Sequence, residues 1–340
     1  MKKFISILLV FASIFCCLRF TVNAEETEFT VKTDEIRIRD PFILVANDLY
    51  YMYGTAVVKE NGYGCYISRD LEKWAGPYTV FAPSPEFEGI KDFWAPECHY
   101  YNGSYYLFAS YFSSATEHRG VSVFRADDPL GPFEEISNGH ITADDIDAID
   151  GTLYVDENGK PWMIYCHEWT SMPDEIGAME AAPLSDDLTH FTDDPTLLFR
   201  ANAPVWTTKG ITDGPFMYKT KYGKLIMIWS NKNNRGYCVG IAKSKDGTPN
   251  GKWSQQVTLL YSKSKTETYD GGHGMIFRTL DGRLMMCIHS PNSRSEDVFE
   301  TAKFIEVYDT GYSLIPASKS KLYIKIIDLV NNIRHYFETR

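Results

Sequence analysis

The sequence predicts an all-β fold, a five-bladed β-propeller in a single domain. Three observations carry that expectation. A hairpin signature recurs five times: Asp40-Pro41 runs into residues 47–53, Trp94-Ala95-Pro96-Glu97 into 102–108, Asp150-Gly151 into 158–165, Asp213-Gly214-Pro215 into 222–229, and Gly272-His273-Gly274 into 281–288. The turn glycines Gly103, Gly159, Gly223 and Gly282 lie 56, 64 and 59 residues apart, and the first copy carries Asn47-Asp48 at that turn. A period of about 60 residues built from strands and tight turns is that of propeller blades. Finally, an acidic or histidine residue introduces four of the five copies.

The elements follow in order. Each hairpin is succeeded by a third strand, at 64–71, 121–128, 176–183, 237–244 and 303–309, in which small and β-branched residues alternate with polar ones. That alternation is expected of a half-buried strand. Asp/Ser/Gly clusters and a Trp or Phe then close the units, as in Leu71 to Trp74 and Asp246 to Trp253. No helix of normal length is predicted between residues 30 and 300, and no linker divides the chain. The propeller is expected over 25–312. In the tail, 313–340, Ile326, Leu329, Val330, Ile333 and Phe337 fall at helical spacing. They predict a short helix on the outside of the last blade, or a partly ordered tail.

Composition bounds the function. Hydrophobic content of 44% can bury a full core. Lys2 and Lys3, the apolar run Phe4 to Leu18 and the small-residue site Val22-Asn23-Ala24 read as a signal peptide over 1–24. The run is too short for a membrane span. Cys16-Cys17 offers lipoprotein anchoring as the lesser alternative to a secreted or periplasmic protein. Without residues 1–24 the chain has 31 basic and 45 acidic side chains, a net charge of −14. That balance argues against nucleic acid and anionic membranes as partners. Five cysteines remain, each inside an apolar run and with no CxxC pair, so they are expected as buried thiols and not as a zinc site. A monomer is expected.

In a propeller the innermost strand of every blade starts at one mouth of the axis. Five repeats would therefore bring Asp40, Asp150, Asp213 and His273 to one pocket, and convergent carboxylates there point to acid–base chemistry.

ArgAspPro, TrpAlaProGlu, AlaIleAspGly before ValAspGluAsnGlyLysPro, and an acid before GlyPro, in that order and each at a blade start, resemble glycoside hydrolase family 43 over residues 34–310. The resemblance implies an inverting hydrolase of arabinose- or xylose-containing plant polysaccharides or oligosaccharides. An exo-acting α-L-arabinofuranosidase or β-xylosidase is expected before an endo-arabinanase.

It implies Asp40 as the general base that deprotonates water, Asp150 as the acid that tunes and orients the proton donor, and Asp213 as the general acid. Trp94 is implied as a sugar-stacking face. His167, Glu168 and Trp169 lie just past the third repeat's second strand, on a connection that could return to the pocket, and are read either as substrate contacts or as loop packing. Glu97, at the start of its strand, is expected as a buried hydrogen-bonding residue. His273 is implied as the holder of a water-coordinated axial calcium, no cofactor being otherwise required. His289 and Arg294 are weaker candidates at the mouth. Asn102-Gly103-Ser104 matches a glycosylation sequon, but the hairpin turn accounts for it.

One residue departs from the pattern, because the family's acid is glutamate where this chain has Asp213. Aspartate is roughly 1.5 Å shorter, and a misplacement of that size costs about a hundredfold in rate. The departure opens a second reading, a non-catalytic carbohydrate-binding propeller. A third, a retaining fructan-active propeller, fits TrpAlaProGlu and AlaIleAspGly less well.

Overall fold

The computed structural model describes residues 27–59, 61–292 and 298–339. The signal-peptide reading of 1–24 and the candidate Arg294 lie outside the described residues. Five antiparallel sheets follow one another along the chain, in the arrangement of a five-bladed propeller. Their innermost strands are Arg39–Ala46, Gly89–Tyr101, Ala148–Val155, Asp213–Lys219 and Gly272–Arg278.

The sequence makes these blades through its turns. Asn47, Asp48, Asn102 and Gly103 all take left-handed φ, and Ala46 pairs with Leu49 as Tyr101 pairs with Ser104. These are two-residue hairpins whose twist matches the strands they join. Gly159, Gly223 and Gly282 serve the same end in longer loops, each donating its N–H back to Asp156, Thr220 or Thr279.

The core lies between blades. Blades two and three meet over Phe108, Val121, Met163 and Tyr165. Blades three and four meet over Ile164, Met179, Met227 and Trp229, and four and five over Ile228, Ile241, Met286 and Ile288. The ring closes without a strand shared between the termini, because Val31–Lys32 pairs inside blade one. An apolar seam joins blades five and one instead, through Met275, Phe277 and Cys287. The Arg39–Glu300 ion pair (2.9 Å) and an Ile38 N–H bond to the Glu300 carbonyl add to it. All five cysteines described are buried and free, as expected.

The end of the chain differs from expectation in two ways. The outer strand of blade five is Leu314–Pro316, so the propeller continues to Pro316. The tail is a single helix, Lys321–Glu338, capped by the Ser320 hydroxyl. It turns its polar side inward: Asp328 meets Lys221 (3.2 Å) and Tyr308, His335 stacks on Tyr222, and Glu338 takes Lys224 (2.9 Å) and the Tyr312 hydroxyl (2.8 Å). Ile326, Leu329, Val330, Ile333 and Phe337 face outward, 50–73% exposed. No helix among the described residues is long and apolar enough to cross a membrane.

Candidate active site

Every inner strand breaks register, near its start in four blades and midway along Gly89–Tyr101 in blade two, with bulges between Arg39 and Phe42, Trp94 and Glu97, Ile149 and Thr152, Asp213 and Phe216, and Gly272 and Met275. A bulge re-aims side chains and is favoured beside active sites. At each break one residue takes left-handed φ: Asp40 (51°), Ala95 (45°), Asp150 (57°), Gly214 (50°) and His273 (52°). Such backbone costs a non-glycine residue about 1–3 kcal/mol, and three of the five are titratable residues of the site. Asp40, Asp150 and His273 thus share one phase. Asp213 sits one residue earlier, in the phase of Trp94, which the repeat alone does not show. Glycine is required at 214, where a Cβ would lie 2.7 Å from the His273 ring and 3.1 Å from its Cα.

The second strand of each blade latches the next. Its residue opposite the bulge is Thr55, Ser110, Cys166, Ser230 or His289. The Ala95 N–H bonds Thr55 Oγ1 (2.8 Å), Asp150 N–H bonds Ser110 Oγ (3.2 Å), His273 N–H bonds Ser230 Oγ (2.8 Å) and Asp40 N–H bonds His289 Nδ1 (3.2 Å). Blade three carries the weak acceptor Cys166 instead. There the Gly214 N–H turns to the Asp150 carboxylate, at 2.9 Å from Oδ2.

These latches bring together the three acids and His273. The His273 Nδ1 stands 3.1 Å from Asp40 Oδ1 and 3.7 Å from Asp150 Oδ2. Thr55 donates to Asp40 Oδ2 (2.8 Å), and the Tyr237 hydroxyl donates to Asp213 Oδ2 (2.8 Å). Burial alone would raise Asp40, but the His273 charge and its hydrogen bond, with His289 close by, overcome it and hold Asp40 well below the carboxylate range. Burial works against the His273 cation too, yet Asp40 and Asp150 lift it to about 10. Burial pushes Asp150 upward, with Asp213 and Asp40 adding to the rise against His273. It also pushes Asp213 upward; the Tyr237 hydrogen bond, His273 and Arg39 oppose that rise and Asp40 reinforces it. Asp40 is thus held low while Asp150, at about 7, and Asp213 are raised, the opposed directions that an acid–base pair needs.

The other candidates separate. Trp94 lies at the mouth with the Arg119 guanidinium 5.5 Å from its ring centroid. Arg119 is pinned by Glu168 (2.6 Å), Asp147 (3.1 Å) and Asp92 (3.5 Å). Trp169 occupies the turn after Glu168 and is 41% exposed. His167 is not brought to the acids: its Nδ1 pairs with Glu180 (3.2 Å), on the face of its strand opposite Cys166. Glu97 is buried against His99 (3.1 Å), as expected. His289 does reach the base. Arg119 and Tyr237 escaped the sequence reading. Both sit at third-strand starts, which in an antiparallel blade return to the same mouth. Each has a glycine beside it, Gly120 and Gly236, a signal that could have found them.

Among the described residues, no group of three or more His, Cys, Asp or Glu is placed to hold a metal ion directly. The Nδ1 of His273 is already turned to carboxylates, so an ion could be held only through water beyond the ring's other nitrogen, and only with the ring neutral, against the pull of Asp40 and Asp150 that favours its cation.

A five-bladed propeller that gathers one carboxyl held low and two raised at its axial mouth is built as a glycoside hydrolase. The family description "Glycosyl hydrolases family 43" matches residues 34–305, and the chain belongs to that family. The structure is similar to that of an endo-arabinase from Bacteroides thetaiotaomicron VPI-5482, with TM-score 0.74 and 37% identity, covering 83% of this chain and 98% of that one. Among curated proteins, 171 residues are 26% identical to the extracellular exo-α-(1→5)-L-arabinofuranosidase ArbA of Cellvibrio japonicus (strain Ueda107), 46% of each chain. Another 158-residue match, also 26% identical, is to the extracellular endo-α-(1→5)-L-arabinanase 1 of Bacillus subtilis (strain 168), 43% of this chain and 48% of that protein. The matched stretches span about half the length of these curated relatives.

Proposed function

We propose that the protein hydrolyses α-L-arabinofuranosidic linkages of arabinan and its oligosaccharides with inversion of the anomeric centre. The observation that carries the reading is the convergence of Asp40 and Asp150 on His273, with Asp213 in the next blade beside them, Asp40 held low and Asp213 raised. The arabinose preference over xylose rests on the relatives' names. In the reaction Asp40 takes a proton from water as its oxygen attacks the anomeric carbon. The carbon–oxygen bond to the leaving sugar breaks, and Asp213 gives its proton to that oxygen. One sugar leaves as the hemiacetal and the other with a free hydroxyl. Exchange with solvent moves the proton from Asp40 and restores it to Asp213. Asp150, held by the Gly214 N–H, orients the cluster; burial, with Asp213 and Asp40, lifts its own carboxyl to about 7.

Exo-action releasing single arabinose units is the first reading, and the similarity to an endo-arabinase favours internal cleavage as the second. Chromatography of digests of debranched arabinan separates them: arabinose alone from the outset means exo-action, and a ladder of oligosaccharides means endo-action. No hydrolysis of arabinan, of arabino-oligosaccharides or of aryl pentosides would remove the proposal in favour of a binding propeller.

Export is proposed from the N-terminal pattern and the extracellular relatives, and N-terminal sequencing of the mature protein tests it. A calcium ion held through water by His273 is proposed as well. It would add positive charge on the axis. Titration calorimetry of chelator-treated protein with calcium chloride tests it, and no heat of binding would remove it.

A further inference from the structure

Tyr237 opens the third strand of blade four, Gly236–Ser244, and is 2% exposed. Three contacts fix its ring. Its backbone N–H donates to Asp270 Oδ2 at 2.7 Å. Its face packs on Gly272, where any Cβ would lie 2.5 Å from two ring carbons. It stacks on His289 at 5.4 Å between centroids, with the planes 20° apart. The hydroxyl therefore has one place to go, and it meets Asp213 Oδ2 at 2.8 Å. Burial, then the neighbouring acids Asp213 and Asp40, push the phenol well above its ordinary value, so the hydroxyl keeps its proton and stays a donor.

A permanent donor at Oδ2 leaves only Oδ1 of Asp213 to carry the carboxyl proton. We propose that Tyr237 is the positioning residue of the proton donor: it anchors the short Asp213 carboxyl by one oxygen and presents the other, protonated, to the glycosidic bond. The inference rests on the reading of Asp213 as the acid. Tyr237 thereby supplies the alignment that a glutamate at this place would otherwise reach for, and it ties the acid to the base, because the His289 beneath it latches Asp40.

The charged and titratable groups acting on Asp213 are Tyr237, His273, Asp40, Arg39, Asp150, Glu168 and the Cys166 thiol. Only Tyr237 donates a side-chain hydrogen bond to it among the described residues. A hydrogen bond to the ionised form favours that form, so removing it raises the Asp213 pKa.

The test is Tyr237→Phe in the full chain, assayed on arabino-oligosaccharides and on an aryl arabinofuranoside with a good leaving group. Expected are a fall in kcat of roughly 10- to 100-fold on oligosaccharides, a KM that hardly moves, a much smaller loss on the aryl substrate, and a basic limb shifted to higher pH. A structural role alone would lower both substrates alike and leave the limb in place, which overturns the inference. If the phenylalanine variant does not fold, 3-fluorotyrosine at 237 keeps the shape and strengthens the donor. The basic limb should then move to lower pH, and an unmoved limb overturns the inference.

Two further variants separate this failure from failure of the parent reading. If Asp213→Asn stays active on oligosaccharides while Glu168→Gln does not, the donor is Glu168 and both readings fall. If Asp213→Asn is inactive with rescue on the aryl substrate, and Tyr237→Phe leaves the limb unmoved, only Tyr237 is refuted.

Discussion

Replacing Asp213 by glutamate, the residue the family resemblance implies at that place, should damage this enzyme. The added methylene carries the carboxyl roughly 1.5 Å further out. The Tyr237 oxygen already sits 2.8 Å from Asp213 Oδ2. The ring cannot retreat, because Gly272 leaves no room behind it and His289 stacks against it. The glutamate carboxyl must therefore give up the tyrosine or enter the space of the glycosidic oxygen. Either outcome misplaces the proton by about an ångström, worth on the order of 10- to 100-fold in kcat/KM, or about 1.4–2.7 kcal/mol of barrier. The assay is kcat/KM of Asp213→Glu and the parent on an arabinofuranoside and a xyloside, with thermal unfolding to show both are folded. A tenfold or larger gain would refute the reasoning. It would mean that Asp213 is a decayed acid and the chain a binding propeller.

The remaining predictions concern the same cluster. Asp40→Asn and Asp213→Asn should each lower kcat by roughly 10²–10⁴, and an activated aryl substrate should rescue only the second; equal rescue would invert the role assignment. Activity should rise with pH as Asp40 ionises and fall as Asp213 loses its proton, and His273→Gln should move both limbs to higher pH, since the lost cation lowers both acids. Limbs that stay put would remove His273 from the electrostatics. His273 has its pKa raised from 6.5 to about 10, so its stabilisation is present below pH 6.5, while Asp40 is ionised, and is lost as pH climbs through about 10. Melting curves of parent and variant across pH should converge in that direction. Ser230→Ala leaves the buried His273 N–H without its 2.8 Å acceptor and should cost about 1–3 kcal/mol of stability, read by denaturant unfolding; no change would mean that the latch is dispensable.

The blades were legible because their turns are written in residues that tolerate left-handed backbone, Asn47-Asp48 and Asn102-Gly103 above all. The acids were legible because an Asp-Pro, Asp-Gly or Gly-Pro step marks the three inner-strand starts that carry them, in blades one, three and four. The phase within those steps was not. Asp213 precedes the left-handed residue of its blade and Asp40 is that residue, a distinction made by the bulges and not by spacing. Arg119 and Tyr237 were missed because what places them is pairing across strands. His167 was expected near the pocket because it lies just past the second strand of blade three, but strand alternation turns it to Glu180. Apolar spacing in the tail foretold a helix, yet Tyr222, Tyr308 and Tyr312 hold it by its polar side.

The measurement that bears most directly on acid–base hydrolysis at this mouth is the configuration of the first product. Proton NMR of α-linked arabino-oligosaccharide hydrolysis, recorded before mutarotation, should show β-L-arabinofuranosyl hemiacetal appearing first, because water activated by Asp40 attacks from the face opposite the leaving group. First appearance of the α anomer would mean a covalent intermediate and a nucleophile among these acids, and would contradict the account.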